Sequence, residues 1–434
     1  MTGRTLAERR SKVLGPAYEH FFDEPLHLVR GEGVWLWDKA GRKYLDCYNN
    51  VPSTGHCHPH VVEALSNQAA TLNTNTRYLH EAIVEFGEMI TAKLPEGLDV
   101  CMLVCTGTEA NDLAVQIARH VTGNYGAVVS EASYHGNSDL VLKLSTDVYP
   151  VEERPDWLAV TEPPNLYRGP FTRADDDPGA GYMELARREL DALGARGHAP
   201  AALLLEPMWE SNGPMVAPAD YPKALCDEVR ARGGLIISDE VQAGYCRTGK
   251  NWWGFQHYDI IPDIVTCGKP MGAGHPLAMV ATRRDIAEKF ARKYSYFNTF
   301  AGNPVSAQVG KAVIEVIDGE KLGENCENTG NYFNAELAKL QEKHDLIGDV
   351  QGRGLFYGID LVTDPASKTP FTRDEIRHLG SLIVDEGVIT GTCGRYGQVL
   401  KLRPPLVFSR EHADIAVAAI DRGLTRFAAE RGGS

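Results

Sequence analysis

Three short apolar runs in the middle of the chain each lead to a charged side chain. The first two end at Glu206 and Asp239, and the third leads through a glycine to Lys269. Runs of this length are typical of buried parallel strands, which deliver polar side chains to the carboxyl edge of a sheet. The pattern therefore predicts two carboxylates and a lysine near one sheet edge. The runs cover residues 201–205, 234–237 and 263–266.

The remaining pattern alternates between strands and helices. Apolar runs at 100–104 and 125–129 predict two more strands. An amphipathic N-terminal segment, broken at Pro16, precedes a predicted hairpin around the turn 38–41. Residues 150–181 are rich in Pro, Asp and Arg and show no periodicity, which predicts a long surface loop. Helical spacing predicts helices at 61–70, 112–121, 183–193, 221–232, 305–317 and 413–426.

Composition and charge then limit the class of protein. The chain has 434 residues, which exceeds the usual size of one domain and favours a large domain plus a smaller one. Its hydrophobic content of 43% and charged content of 24% are typical of a soluble globular protein. The formal net charge of −14 argues against nucleic acid or an anionic membrane as a partner, because no basic excess is present to neutralise phosphates.

The cysteines and the N-terminus bear on the compartment. Nine cysteines are scattered without CxxC pairs, so neither a disulfide framework nor a zinc site is predicted. The triplet His56-Cys57-His58 lacks a second cluster of ligands, and we expect no metal there. The sequence contains neither a signal-peptide core nor an apolar run of about eighteen residues, so no membrane span is expected. A reducing cytoplasm is the predicted location.

A lysine and a carboxylate on neighbouring strand ends suit one kind of cofactor chemistry. Burial lowers the pKa of a lysine, so that its neutral amine can attack a carbonyl and form a Schiff base. A buried aspartate can keep a pyridine nitrogen protonated, and pyridoxal 5′-phosphate (PLP) needs both partners. By spacing alone, the pattern is equally compatible with Asp239 capping a helix and Lys269 lying in a solvated loop.

Two further segments suit the same cofactor. Residues 105–111 form a loop of small residues that opens a helix, and such a helix N-terminus binds anions. Gly107 and Thr108 are therefore candidates to hold a phosphate, although a threonine there could equally be a structural helix cap. Tyr134 follows the strand at 125–129, where an aromatic ring can stack on a cofactor or simply pack in the core.

Three segments together resemble the class III aminotransferases, a branch of the fold-type I PLP enzymes. They read SDEVQAGYCRTG, TCGKPMGAGHPLA and NTFAGNPVSA, and the similarity covers nearly the whole chain. The resemblance implies that Lys269 is the Schiff-base lysine and Asp239 the partner of the pyridinium nitrogen. It also places Gln242 beside the phenolic oxygen of PLP and Tyr134 on the PLP ring, with His135 next to it. Thr299 is placed at the phosphate of the PLP that is bound to a neighbouring subunit.

The same resemblance implies an architecture and an assembly. The expected fold is α/β, with a mostly parallel seven-stranded sheet in a large PLP-binding domain and a smaller α+β domain. Residues 1–75 and 321–434 are assigned to the small domain and residues 76–320 to the large one. Because Thr299 should reach a neighbour's cofactor, a homodimer with shared active sites is expected, and it could assemble further into a tetramer.

The substrate is suggested by a departure from the commoner family pattern. Many class III enzymes that act on α-amino acids resemble one another in an arginine three residues before a proline, and here that position is Lys401, with Arg403 next to Pro404. A lysine lacks the planar fork that binds a carboxylate in two places. Recognition of an α-carboxylate is therefore not expected.

The segments YNNVPSTGHCHP, LNTNTRYLH and VLKLRPPL resemble one subgroup, the ethanolamine-phosphate phospho-lyases. This resemblance implies elimination of phosphate from O-phosphoethanolamine through a Schiff base and a quinonoid, giving acetaldehyde and ammonia. The alternatives are an ω-amine or 4-aminobutyrate-type aminotransferase that uses pyruvate or 2-oxoglutarate, and a non-enzymatic relative. The candidate substrate-binding residues are Tyr48, Asn50, Arg77, Lys401 and Arg403.

Overall fold

The computed structural model describes residues 3–18 and 20–432. Within these residues it contains sixteen β-strands and twelve α-helices. The strands are β1 (Leu28–Glu32), β2 (Trp35–Asp38), β3 (Lys43–Asp46), β4 (Val100–Val104), β5 (Gly126–Ser130), β6 (Leu158–Thr161), β7 (Pro200–Leu205), β8 (Leu235–Asp239), β9 (Ile264–Cys267), β10 (Ala278–Thr282), β11 (Ile347–Arg353), β12 (Phe356–Asp364), β13 (Thr369–Pro370), β14 (Val388–Ile389), β15 (Gly391–Cys393) and β16 (Val399–Leu402). The helices are α1 (Gly3–Leu14), α2 (Pro59–Thr71), α3 (Glu81–Thr91), α4 (Gly107–Thr122), α5 (Asp139–Leu142), α6 (Pro178–Ala195), α7 (Tyr221–Ala231), α8 (Arg284–Ala291), α9 (Pro304–Gly319), α10 (Leu322–Lys343), α11 (Arg373–Asp385) and α12 (Arg410–Gly432).

The largest sheet has seven strands in the order β4-β10-β9-β8-β7-β5-β6. Strand β10 runs antiparallel to both of its neighbours, and the other pairs are parallel. Both faces are covered: Ile236 belongs to one apolar cluster and the adjacent Ile237 to another, which also contains residues of α4. Burial on two faces explains why these strands are continuous apolar runs in the sequence. The expected mostly parallel, seven-stranded α/β architecture is confirmed.

Two smaller sheets lie outside this layer. One has the order β1-β2-β3-β14 and the other the order β11-β12-β16-β15, with β13 paired to β12. Strand β3 pairs in parallel with β14, with Leu45 opposite Val388, and this pairing ties the N-terminal strands to the C-terminal part of the chain. We propose the domain division at residues 75 and 320 on the basis of this pairing.

The prediction of a long surface loop at 150–181 was wrong. Strand β6 lies inside it and pairs in parallel with β5 at the edge of the large sheet. Helix α6 also begins inside it, at Pro178, and the carboxylate of Asp177 accepts the backbone N–H of Ala180 at 2.9 Å as its N-cap. Both elements were missed because a four-residue edge strand and a first helical turn containing two glycines carry little periodicity.

The N-terminal helix was predicted, but its apolar face is not buried within the chain. Helix α1 ends at Leu14, two residues before the predicted break at Pro16. Val13 is 76% exposed and Leu14 is 51% exposed. Strands β1 and β10 and helices α5, α8, α10 and α11 were among the elements that were not predicted. Across residues 3–18 and 20–432, every helix is too short or too polar to cross a lipid bilayer.

Candidate active site

A cavity of about 270 Å³ lies at the carboxyl edge of the large sheet, beside the first turn of α4. Strands β7 and β8 are neighbours, so the residues at their ends, Glu206 and Asp239, reach it together as the apolar runs predicted. The lysine after β9 also reaches it. The lining residues are Thr106, Gly107, Thr108, Asn111, Tyr134, His135, Gly136, Glu206, Glu210, Asp239, Val241, Gln242 and Lys269.

Asp239 is held in one orientation by its neighbours. Its Oδ2 atom accepts hydrogen bonds from Asn111 Nδ2 and from His135 Nδ1, both at 2.7 Å. The amide of Asn111 is oriented in turn, because Asn111 Oδ1 accepts the hydroxyl of Thr266 at 2.6 Å. Asp239 Oδ1 accepts only the backbone N–H of Val241, at 3.1 Å. A carboxylate oxygen has two lone pairs, so Oδ1 can accept a further hydrogen bond.

Lys269 has the chemistry of a nucleophilic amine. Burial and then the nearby charge of Arg403 lower the pKa of its side chain, Asp239 partly opposes both, and the resulting pKa is about 8. The neutral fraction of this amine near neutral pH is therefore far larger than that of an ordinary lysine, and the neutral form is the one that attacks a carbonyl. Lys269 and Asp239 line the same cavity, and their catalytic roles stay predictions.

The first turn of α4 forms one wall of the cavity. Thr106 is the N-cap: its hydroxyl accepts the N–H of Glu109 at 3.1 Å, and the Glu109 side chain accepts the N–H of Thr106 at the same distance. Thr108 therefore lies inside the helix and is not its cap. The first N–H groups of a helix lack partners within the helix and suit a phosphate. Gly107, which has no side chain, lets the backbone of this turn line the cavity directly.

Replacing Gly107 by alanine is expected to weaken binding of a phosphate-bearing cofactor by about tenfold or more. A Cβ atom at this position would lie 2.9 Å from both methyl groups of Val241, so the cavity wall would have to move. The measurement is the dissociation constant of PLP for the apoenzyme. The matched control is Gly87→Ala in α3, where nothing lies within 4 Å of the added Cβ. Equal PLP affinity in the two variants would contradict the assignment of Gly107 to the phosphate-binding turn.

Two buried cations lie close enough to Lys269 to lower its pKa. Lys401 and Arg403 are 3% and 8% exposed. The Nζ atom of Lys401 donates to the backbone carbonyl of Glu210 at 2.6 Å, and burial lowers the pKa of Lys401. Arg403 donates through Nε to the carbonyl of Tyr48 at 2.9 Å, stacks on the Tyr48 ring, and donates to Gln242 Oε1. Neither cation has a carboxylate within ion-pairing distance among the described residues.

Six predicted site residues are not among those that line the cavity: Tyr48, Asn50, Arg77, Thr299, Lys401 and Arg403. Arg77 is exposed, and its guanidinium lies 3.8 Å from the centre of the Phe297 ring, away from the cavity of its own chain. Thr299 is also exposed and does not line that cavity. Asn50 is buried, and neither its amide nitrogen nor its amide oxygen has a hydrogen-bond partner among the residues that the structure describes. Their predicted roles in cofactor and substrate binding stay predictions.

The sequence analysis missed four of the lining residues, Thr106, Asn111, Glu210 and Val241. Asn111 belongs to the loop of small residues at 105–111, and its position one turn into α4 was the available signal. Glu210 follows Glu206 by four residues and is 1% exposed. Burial and the neighbouring Glu206 raise the pKa of Glu210 well above its ordinary value. A second glutamate after an apolar strand was a visible signal, but its burial was not.

The comparison with protein families agrees with this geometry. The family model described as Aminotransferase class-III matches residues 18–424. The chain belongs to the class III aminotransferase family. Class III aminotransferases use PLP, and PLP is the cofactor of this enzyme.

Individual class III relatives span almost the full chain. A protein from Caenorhabditis elegans named ethanolamine-phosphate phospho-lyase homolog 1 is 37% identical over 97% of this chain and 93% of its own length. A Drosophila melanogaster protein named alanine–glyoxylate aminotransferase 2-like is 38% identical over 97% of this chain and 87% of its own. A solved phospholyase from Arthrobacter in complex with phosphoethanolamine superposes with a TM-score of 0.93, at 38% identity, covering 97% of this chain and 99% of that one.

The residues of this class III enzyme fit PLP. Asp239 offers an oriented carboxylate with a free lone pair, and Lys269 offers an amine. The start of α4 at Gly107 offers N–H groups in a place that a Cβ atom would crowd. Tyr134, 39% exposed, and Val241 supply an aromatic ring and an aliphatic side chain in the cavity wall. A phosphorylated, aromatic, aldehyde-bearing cofactor needs this set of groups.

Proposed function

We propose that this class III enzyme is a PLP-dependent phospho-lyase that eliminates phosphate from O-phosphoethanolamine or a related phosphorylated amino alcohol. The observation that carries the proposal is the buried pair Lys401 and Arg403 beside Lys269, in a chain whose net charge is −14. Buried cations without a carboxylate partner are costly unless an anion joins them. The phosphoethanolamine bound to the similar Arthrobacter phospholyase supports a phosphate as that anion.

The proposed chemistry divides between two residues and the cofactor. Bound PLP supplies an electron sink for the carbon next to the substrate nitrogen. Lys269 Nζ removes the proton from that carbon, because its lowered pKa leaves neutral amine available. Asp239, oriented by His135 and Asn111, holds a proton at the pyridine nitrogen and so stabilises the negative charge that develops. The electron pair left by that proton would form a carbon–carbon double bond as the carbon–oxygen bond to phosphate breaks, and water would then hydrolyse the remaining fragment to acetaldehyde and ammonia.

The remaining groups bind and orient. Gly107 and Thr108 are proposed to hold the PLP phosphate at the start of α4, and Tyr134 to stack on the ring. Gln242 is proposed to contact the phenolic oxygen, and its own oxygen is fixed by the Arg403 guanidinium. Lys401 and Arg403 would stabilise the charge on the departing phosphate, which is the largest charge to develop in an elimination of this kind.

We further propose that the enzyme works as a homodimer, with Thr299 of one protomer at the cofactor phosphate of the other. Thr299 lies on the surface and away from the cavity of its own chain. Phe300, next to Thr299 in the sequence, is a large apolar side chain that is 73% exposed. Leu79, two residues after Arg77, is 100% exposed. Exposed apolar side chains of this size are typical of surfaces that a partner covers. A reducing cytoplasm is the proposed compartment, supported by nine free cysteines.

The deciding experiment supplies O-phosphoethanolamine to the PLP-loaded enzyme without any keto acid. We expect equimolar phosphate and acetaldehyde, measured by a phosphate assay and by coupled reduction of the aldehyde. Ethanolamine, which lacks the leaving group, is the matched control and should give neither product. A second arm supplies a simple amine with pyruvate. Alanine formation in the second arm, together with no phosphate release in the first, would overturn the proposal in favour of an aminotransferase. That is the activity in the name of the Drosophila relative.

A further inference from the structure

Glu210 is a buried carboxyl group that the proposed chemistry does not use. It follows β7, lines the cavity and is 1% exposed. Neither of its carboxyl oxygens has a hydrogen-bond partner among the described residues. A buried polar group without a partner costs free energy, and an ionised one costs more. Because Glu210 lies in the cavity wall, a bound ligand could supply the missing hydrogen-bond partner.

Glu206, on the same segment, has the opposite surroundings. Its Oε1 accepts the Ser211 hydroxyl at 2.7 Å and the backbone N–H of Tyr134 at 3.3 Å, and its Oε2 accepts the backbone N–H of Ser211 at 3.3 Å. Hydrogen bonds from donors favour the ionised form of a carboxyl group, and a neighbouring negative charge disfavours a second ionisation. When two nearby carboxyl groups differ in this way, one keeps the charge and the other keeps the proton.

We propose that Glu210 acts as a neutral carboxylic acid that donates a hydrogen bond to a phosphate oxygen of the substrate. This inference rests on the proposed function and names a specificity-determining residue for it. A protonated carboxyl group has one O–H donor, whereas an ionised one only accepts and would repel a phosphate. The O–H would act beside Lys401, whose Nζ donates a hydrogen bond to the backbone carbonyl of Glu210 at 2.6 Å. Glu210 is 1% exposed, and a hydrogen bond from so buried a group is electrostatically stronger than one made in water.

The charged surroundings of Glu210 favour the proton at neutral pH. Burial is the largest cause of its raised pKa, followed by the negative charge of Glu206. The positive charge of Lys401 acts in the opposite direction, but it is bonded to the backbone of Glu210 and not to its carboxyl group. Raising the pH removes the proton and the donor together. The titratable groups that face Glu210 are Glu206, Asp239, Glu240, Tyr258 and Lys401.

The test compares the wild type with Glu210→Gln, which keeps an N–H donor and cannot ionise, and Glu210→Met, which has no donor. The probe is 3-aminopropylphosphonate, whose carbon–phosphorus bond cannot be eliminated. Propylamine, which lacks the phosphonate, is the control ligand. Binding to the PLP-loaded enzymes is followed by the change in cofactor absorbance, so that no turnover is needed. Replacing a buried unpaired carboxyl group by an apolar side chain of similar size is not expected to prevent folding.

We expect Glu210→Met to weaken phosphonate binding by about tenfold and Glu210→Gln by less than about threefold, with propylamine binding unchanged in both. From neutral to alkaline pH, the affinity of the wild type for the phosphonate should fall relative to that of Glu210→Gln. A merely structural role would not produce this difference in pH dependence between two well-folded proteins.

Three outcomes would overturn the inference. The first is phosphonate binding by Glu210→Met that equals the wild type. The second is a wild-type affinity that tracks Glu210→Gln at every pH. The third is tighter binding of 1,3-diaminopropane by the wild type than by Glu210→Gln, which would make Glu210 an ionised partner of a cation. If the wild type neither binds the phosphonate nor releases phosphate from O-phosphoethanolamine, the proposed function falls first, and the inference falls with it.

Discussion

Replacing Lys269 by alanine is expected to abolish phosphate release, with a loss of at least about 10⁴-fold in kcat. The variant loses both the amine that carries the cofactor and the base proposed to remove the substrate proton. The change leaves Asp239 and its bonds to His135 and Asn111 in place, so PLP should still bind without a covalent link. The measurements are phosphate release and covalent attachment of the cofactor after borohydride treatment, which reduces a Schiff base to a stable secondary amine and should therefore label the wild type only.

A matched lysine separates this effect from a general loss of charge. Lys250 is 70% exposed, and its nearest carboxylate, Glu327, lies 3.8 Å away. Surface pairs of this kind contribute little to stability. Lys250→Ala should therefore keep wild-type activity and absorbance. Substantial turnover by Lys269→Ala, above about a hundredth of the wild-type rate, would rule out the assigned base.

Replacing Asp239 by asparagine is expected to lower kcat by about 10³-fold or more. Asparagine is nearly the same size, but it carries no charge to hold a proton on the pyridine nitrogen. The hydrogen bonds from Asn111 and His135 to Oδ2, both 2.7 Å long, would orient whichever group stands there. The variant should therefore fold and bind PLP, and the loss should appear in the chemical step. Single-turnover phosphate release measures that step directly.

The control for the second substitution is Asp227→Asn on α7. Asp227 is 55% exposed and pairs with Lys223 at 2.8 Å across one helical turn. Its neutralisation should change the rate less than about twofold. If Asp239→Asn retained the wild-type rate, the carboxylate would not be needed for the reaction. A cofactor with N-methylated pyridine, which carries a fixed positive charge, should restore part of the lost rate only in Asp239→Asn.

Most of the layout of the active site was readable from the sequence. Apolar runs buried on both faces of a parallel sheet are continuous in sequence, so the ends of β7, β8 and β9 could be found without coordinates. The polar residues at those ends include Glu206, Asp239 and Lys269, and all three line one cavity. Local patterns were weaker where burial is partial. The edge strand β6 and the glycine-rich start of α6 were mistaken for a loop for this reason.

The sequence by itself determined the family, the cofactor chemistry and the residues at the strand ends, because strand periodicity and short motifs are local in the chain. Only the tertiary structure decided which side chains lack partners. It buries Glu210 without a hydrogen bond while three donors satisfy Glu206. It also turns Lys401 toward a backbone carbonyl and leaves Thr299 on the surface. Burial and partners depend on contacts between distant segments, and no local pattern records them.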